Sequence, residues 1–258
     1  MNLFFRKTGS GKPLIILHGL FGLSDNWATL AKKWSEFFTV YAVDLRNHGQ
    51  SPHSDQWKYW IMAEDVLELI ETEKLEDVIL LGHSMGGKVA MHLTLDSPEK
   101  ISKLIAIDIG PKKYPIANED VVKALLKVNL QKISSRKEVE DILAKNISDN
   151  GTVQFLLKNL YWLDASENGE KKLAWRFNLP VIAKNLEVVS AATNEPAPSD
   201  VETLFIRGEK SDYILKEDEA EIKAVFPRSK IETIKGAGHW VHADKPEEVY
   251  NAVMGFCF

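Results

Sequence analysis

The chain has one cysteine, Cys257, so no internal disulfide can form. That excludes a disulfide-stapled secreted scaffold and fits a reducing, cytoplasmic compartment. Nowhere do about eighteen uncharged apolar residues run together, so insertion into a membrane is not expected. The first seven residues place no apolar stretch behind their charges, and no export signal is expected either. A basic excess is also missing: the net charge is −5, and no Lys/Arg cluster stands apart from compensating acids. Both features oppose capture of a phosphate backbone and exclude nucleic acid as a partner. There is no internal repeat and no low-complexity tract. What is present is a chain of 258 residues that is 45% hydrophobic, enough to fill the core of one α/β domain carrying an insertion.

Short apolar runs at residues 14–17, 40–43, 78–81, 104–109, 204–206 and 230–234 read as strands, and helical patterns alternate with them. Such alternation predicts a mostly parallel sheet flanked by helices. Met62, Val66, Leu69 and Ile70 recur at helical spacing, and Val249, Val253 and Phe256 do so near the C-terminus, after Asp244 and Glu247 in capping-box spacing. From about residue 111 to 199 the strand rhythm disappears. Val122, Leu125 and Leu126 suggest one helix, and Val139, Ile142 and Leu143 a second, behind Ser135 and Glu138. Val153, Leu156, Leu157 and Leu160 suggest a third. The expected organisation is a core of residues 1–110 and 200–258 with an inserted helical cap, 111–199, closed by the small, polar connector 191–199.

Between the apolar run 78–81 and the helical run 88–95 lies Gly82-His83-Ser84-Met85-Gly86. A serine on a sharp strand-to-helix turn must hold a strained backbone, and the chain passes so close that the flanking positions must be glycine. A helix beginning at Met85 would point free N–H groups and its positive dipole end at a developing oxyanion. Ser84 is therefore the candidate nucleophile, with Met85 N–H as one oxyanion donor. The segment His18-Gly19-Leu20-Phe21-Gly22, after the first strong strand, offers Leu20 N–H as the second and Phe21 as a wall of the acyl pocket. His18 is read as a brace for this loop, and the segment 44–51 as an ion-paired structural turn.

A serine hydroxyl needs a general base, and a histidine base needs a carboxylate to fix its tautomer. Gly236-Ala237-Gly238-His239-Trp240 follows the last strand pattern, and its glycines permit a tight loop that holds His239 over the carboxyl edge of a sheet. His239 is the candidate base. Two acids compete. Asp108 ends the strand before the insertion, whereas Asp212 follows the strand after it, one residue out of the usual register, which is occupied by Ser211. Asp108 is preferred, with Asp212 as the alternative acid and Ser211 as a possible fourth member of the hydrogen-bonded group.

Taken together, His18-Gly-Leu-Phe-Gly22, Asp44-Leu-Arg-Asn-His-Gly49, Gly82-His-Ser-Met-Gly-Gly-Lys88, Asp108-Ile-Gly-Pro111, Trp175-Arg-Phe-Asn178 and Gly236-Ala-Gly-His-Trp-Val-His242 resemble the α/β-hydrolase superfamily, and within it the YbfF-type bacterial esterases. The resemblance runs through nearly the whole chain. It implies an α/β-hydrolase fold and hydrolysis of small-molecule carboxylic esters, extending to acyl-CoA thioesters, with no cofactor and no metal. It also implies an acid at Asp108 and a serine at Ser211. Asp212 departs from the pattern, standing where these relatives have a small residue or proline.

Other readings use the same residues. The scaffold hosts carbon–carbon bond hydrolases and lyases with the same triad, and perhydrolase side activity. Dehalogenases and epoxide hydrolases require a carboxylate where this chain has Ser84. A slow-turnover metabolite-binding homologue is a reading of another class. Candidate substrate walls are Phe21, Tyr161, Trp162, Trp175 and Phe177. Oligomeric state is not written in the sequence.

Overall fold

The computed structural model describes residues 1–163, 171–193 and 197–258. In chain order it builds strands β1 (Phe5–Gly9) and β2 (Lys12–Leu17), helix α1 (Ala28–Trp34), β3 (Phe38–Val43), α2 (Tyr59–Thr72), β4 (Val78–His83), α3 (Met85–Asp96) and β5 (Ile101–Ile107). Helices α4 (Glu119–Leu126), α5 (Arg136–Ala144) and α6 (Asn150–Leu157) follow, then strands β6 (Leu160–Leu163) and β7 (Lys172–Trp175) and helices α7 (Leu179–Lys184) and α8 (Leu186–Ser190). The chain ends with β8 (Glu202–Gly208), α9 (Glu219–Val225), β9 (Ser229–Ile234), α10 (Val241–Asp244) and α11 (Pro246–Cys257).

Seven strands form one sheet in the order β1-β3-β2-β4-β5-β8-β9. Only the edge pair β1·β3 is antiparallel. The expected strands all appear, some longer than their apolar runs. The exception is the run 104–109, whose strand stops at Ile107 because Asp108 turns into positive φ. Strand β1 has no counterpart among the expectations, since four of its five residues are exposed and polar or glycine, and it pairs through its backbone. Alternation along the central strands splits the core: Leu80 and Val78 join one apolar cluster, Ile79 and Leu81 the other. Helices α2 and α3 cover the first face with Met62, Val66 and Val89, while Trp34 of α1 and Val249 and Val253 of α11 cover the second.

Two local expectations are corrected. The inserted segment is not wholly helical, because Leu160 begins the two-stranded antiparallel β6·β7 rather than closing a helix. Residues 194–196 of the proposed connector lie outside the described residues. The pair Asp244 and Glu247 is not a capping box: α11 is capped at Lys245, and the Asp244 carboxylate instead accepts the Gly238 N–H at 2.8 Å, fastening the loop that carries His239. Ser135 does cap α5, its Oγ accepting the Glu138 N–H at 3.2 Å and donating to the Glu138 carboxylate at 2.9 Å.

At the start of α3 the backbone crosses itself. A Cβ on Gly82 would lie 2.3 Å from the Gly86 carbonyl oxygen, and one on Gly86 would lie 2.4 Å from the Leu17 carbonyl oxygen. Neither neighbour is a side chain that can swing away. Gly82→Ala should therefore destabilise the fold by about 2 kcal/mol or more in urea unfolding. Gly255→Ala in α11, where a Cβ meets nothing within 4 Å, should stabilise it by about 0.5–1 kcal/mol. Equal effects of the two substitutions would contradict this packing.

Candidate active site

The parallel register places three strand ends side by side. His83 pairs with Ile107, and Ile107 with Ile206, so Ser84 and Asp108 follow neighbouring strands at one level, beside Gly208. This is the carboxyl edge of the sheet, where ligands of open α/β folds bind. Ser84 has φ 51° and ψ −118°, and Asp108 has φ 52°. Both side chains thus leave strand geometry at a cost of about 1–3 kcal/mol each. Backbone bonds lock them there: Ser84 N–H donates to the Ile107 carbonyl at 3.1 Å, and Asp108 N–H to the Ile206 carbonyl at 2.7 Å.

His239 arrives from the loop after β9. Gly208 lets that loop close, since a Cβ there would lie 2.2 Å from the Gly238 carbonyl oxygen. His239 Nδ1 is 2.7 Å from Asp108 Oδ2, and its Nε2 is 3.1 Å from Ser84 Oγ. A carboxylate can only accept, so Nδ1 carries the proton and Nε2 turns its lone pair toward the serine hydroxyl. Asp108 is wholly buried, and its other bonds come from Gly208 N–H at 3.0 Å and from the Ser211 hydroxyl. Asp212 is exposed and lines the adjoining cavity, without a hydrogen bond to His239 among the described residues.

The oxyanion candidates stand close by. A Cβ on Gly19 would lie 2.9 Å from His83 Nδ1 and 3.4 Å from Ser84 Cβ, so the loop 18–22 presses on the turn that bears the serine. Phe21 N–H is taken by His48 Nε2 at 3.2 Å and Gly22 N–H by the Gly19 carbonyl at 2.9 Å. Neither partner takes Leu20 N–H. His18 braces the loop from below: Nδ1 donates to the Gly19 carbonyl at 2.8 Å and Nε2 accepts Leu45 N–H at 3.0 Å. Arg46 in the 44–51 turn pairs bidentately with Asp65 of α2, at 2.5 and 2.7 Å, while Asp44 accepts Ser24 and Gln50 N–H groups at 2.6 and 2.8 Å.

Above Ser84 lies a cavity of about 360 Å³, within the range of small-molecule sites. Leu20, Phe21, Met85 and Ile109 line it from the sheet side, and Val121, Phe155 and Leu156 from the inserted segment. Among the described residues no Lys or Arg lines it, and Asp212 is the carboxylate that does. Phe21, expected as a pocket wall, is among the lining residues. Tyr161, Trp162, Trp175 and Phe177 are not in the lining. Trp162 is 41% exposed on β6, and Arg176 lies over the Tyr161 ring at 4.5 Å. Trp175 stacks on buried Phe177, which meets Phe21 edge to face. Through these two contacts Phe177 and Trp175 back the lining residue Phe21, while Tyr161 and Trp162 stand on β6 outside the lining.

Sequence reasoning passed over Tyr213, whose ring is stacked on His239, and Tyr114, whose hydroxyl bonds Gly110 and Tyr213. Neither sits in a periodic or glycine-marked pattern. Lys88 is fully buried beneath the inserted segment, donating to the Pro111 and Lys112 carbonyls at 2.8 and 2.6 Å, and burial pushes its amine down to about 7.

Residues 12–246 match the family described as the alpha/beta hydrolase fold. The chain belongs to that family. It is 35% identical to Esterase YbfF of Escherichia coli, across 96% of this chain and 93% of that one. It is 36% identical to the sn-1-specific diacylglycerol lipase ABHD11 of Xenopus laevis, across 95% and 80%. A solved structure titled marine microorganism esterase superposes with a TM-score of 0.94 at 42% identity, covering 99% of each chain. Within the family the chain is of the YbfF type.

Four buried histidines surround the site without lying in its proton path. Desolvation lowers His18 to about 4, His48 and His242 to about 3, and His83 well below its ordinary value. Folded, they stay neutral; unfolded, they take up protons near pH 6.5. Their contribution is complete above pH 6.5 and is lost as pH falls toward 4, at up to about 1.4 kcal/mol per pH unit for each. Urea unfolding should therefore show stability falling by several kcal/mol, roughly, between pH 6.5 and 5, above most carboxylate titration. A flat profile in that window would contradict the neutral buried imidazoles. For the acids, Asp108→Asn should cut ester turnover by about a thousandfold or more, through loss of the Nδ1–H tautomer. Asp212→Asn should leave it within about threefold, as expected of a solvated carboxylate. The reverse order would reassign the acid.

Proposed function

We propose that the protein hydrolyses short- to medium-chain acyl esters through an acyl-enzyme formed on Ser84. In this scheme Ser84 Oγ attacks the ester carbonyl carbon while His239 Nε2 takes its proton. The Met85 and Leu20 N–H groups receive the oxyanion, and the alkoxide leaves with the proton from His239. Water then attacks the acyl carbonyl, giving its proton to His239, and Ser84 leaves reprotonated with release of the carboxylic acid. Asp108 holds the tautomer and faces the imidazolium, and Ser211 completes a four-member network. Thioesters present the same carbonyl chemistry and are included as substrates. No cofactor, metal or nucleic acid enters the scheme.

The single observation that carries the reading is the unbroken chain Ser84 Oγ···Nε2 His239 Nδ1···Oδ2 Asp108, at 3.1 and 2.7 Å, on the floor of an apolar cavity. The bonds that occupy Phe21 and Gly22 N–H groups support Leu20 as the second oxyanion donor. Residues 111–199 act as a cap over a core of 1–110 and 200–258. In support, Asn159 Nδ2 donates to the Phe21 carbonyl at 2.8 Å, and Asn178 N–H to the Asn47 carbonyl at 2.9 Å. The relatives carry the names of an esterase and of an sn-1-specific diacylglycerol lipase. A cavity at the small end of the usual range favours the shorter acyl groups here. The absence of Lys and Arg from its lining among the described residues favours uncharged esters, leaving the phosphates of an acyl-CoA outside. A cytoplasmic setting is in keeping with the single thiol. Among the described residues no helix is long and apolar enough to cross a membrane.

Ser84→Ala should reduce turnover of p-nitrophenyl butyrate by at least about a thousandfold with an unchanged unfolding curve. The wild type should prefer butyrate and hexanoate esters to palmitate. Turnover retained by Ser84→Ala would overturn the reading.

A further inference from the structure

We propose that Tyr213 is a positioning residue for His239: its ring, face to face with the imidazole, fixes the plane of that ring and stabilises the imidazolium formed when Ser84 gives up its proton. The two ring centroids are 3.9 Å apart and the planes 17° from parallel. For two neutral rings a near-sandwich is a poor arrangement, because the negative faces oppose each other. For an imidazolium over a phenol it is a favourable one, since the cation meets the electron-rich face. The stacking therefore gains strength in the charged state that accompanies the transition state, and gains least in the resting enzyme. An interaction with that bias accelerates the chemical step.

The ring cannot drift from this position, because its backbone is tied on both sides to the loop of the acid. Tyr213 N–H donates to Ser211 Oγ at 3.3 Å, and the Ser211 hydroxyl donates to Asp108. The Tyr213 carbonyl accepts the Tyr114 hydroxyl at 2.8 Å, and Tyr114 Oη accepts Gly110 N–H at 2.7 Å, two residues past Asp108. Tyr114 also packs its ring against Tyr213 at 5.3 Å. Burial and the nearby Asp108 raise the Tyr213 phenol above its ordinary value, so it stays uncharged and keeps its π cloud at working pH.

The other groups facing His239 are few. Asp108 and Ser84 hold its two nitrogens. His83 lies at 4.9 Å with its Nε2 on the His239 carbonyl at 2.9 Å, and Trp240 lies edge-on at 6.2 Å. His242 is felt electrostatically and Asp212 stands along the cavity. His83 and His242 are held neutral by burial. Among these imidazoles, His239 is the one whose charge changes during turnover.

The inference rests on His239 acting as the base for Ser84, and the test separates the two. Measure kcat and KM for p-nitrophenyl butyrate across pH for the wild type, Tyr213→Phe and Tyr213→Leu, together with a variant carrying pentafluorophenylalanine at position 213. Phe keeps the π face and should stay close to the wild type. Leu and the fluorinated ring should lower kcat roughly three- to thirtyfold. Their acid limb of kcat/KM should move to lower pH by roughly half a unit or more. The fluorinated ring has nearly the shape of Phe, so it answers the question even if the Leu variant folds poorly. Unchanged kcat and acid limb in the fluorinated variant, or a change confined to KM, would overturn the role of Tyr213 while leaving Ser84 chemistry intact. A wild type without ester turnover would instead sink the reading on which the inference rests.

Discussion

Everything at this site depends on one close approach, the backbone of Gly82 lying against that of Gly86. No side chain fits between them. Because they touch, the chain can leave β4, place one residue at φ 51° and enter α3 within a single step. Ser84 is thereby lifted off the sheet edge with helical N–H groups immediately behind it. The strain at Ser84 is sustained by the packing of a helix buried from Met85 to Thr94: Val89, Ala90 and Met91 are sealed in the core, and each such burial is worth up to about 1.5–3 kcal/mol for the larger side chains. The site is thus a local excess of energy held in place by a large apolar surplus around it.

The second requirement is met by strand register. Parallel pairing sets the ends of β4, β5 and β8 at one level, so that a second positive-φ residue, Asp108, stands beside the first. Glycine again removes the obstacle, this time at Gly208, whose amide also serves the carboxylate. A short imidazole can then bridge two residues that lie 24 positions apart, although it comes from a loop near the far end of the chain. The inserted segment is joined to this arrangement by apolar contact, with Val122, Leu156 and Phe177 in one cluster with Leu20 and Phe21, and by polar ties. Lys88 and both Thr193 donors converge on the Pro111 carbonyl, fastening the two ends of the insertion to each other and to α3. A buried amine with two carbonyl partners is directional in a way that leucine packing is not.

Much of this was legible in the sequence. The parallel strands announce themselves because they are buried on both faces and read as unbroken apolar runs. The glycines around Ser84 and before His239 mark close approach, which is a backbone property and so survives in one-dimensional form. Asp108 was legible as the preferred of two acids, with Asp212 left open because comparing their reach to His239 requires the register of β5 against β8. Other features were hidden for physical reasons. Strand β1 is an exposed edge with no apolar rhythm, and the β6·β7 pair lies within a segment whose leucines continue a helical spacing. Tyr161, Trp162, Trp175 and Phe177 were candidate walls on bulk and polarity alone, which carry no information about which way a side chain faces. Tyr213 left no trace at all, as a stacking contact depends on two loops distant in sequence and has no required spacing.

In the proposed scheme the Ser84 hydroxyl is the group activated for attack on carbonyl carbon. The most direct measurement is the intact mass of the protein after reaction with a fluorophosphonate, followed by peptide mapping, for the wild type and for His239→Ala. One adduct per wild-type chain is expected, on the peptide that carries Ser84, with strongly slowed labelling when the imidazole is removed. Labelling at another residue, or labelling of Ser84 at the same rate without His239, would contradict it.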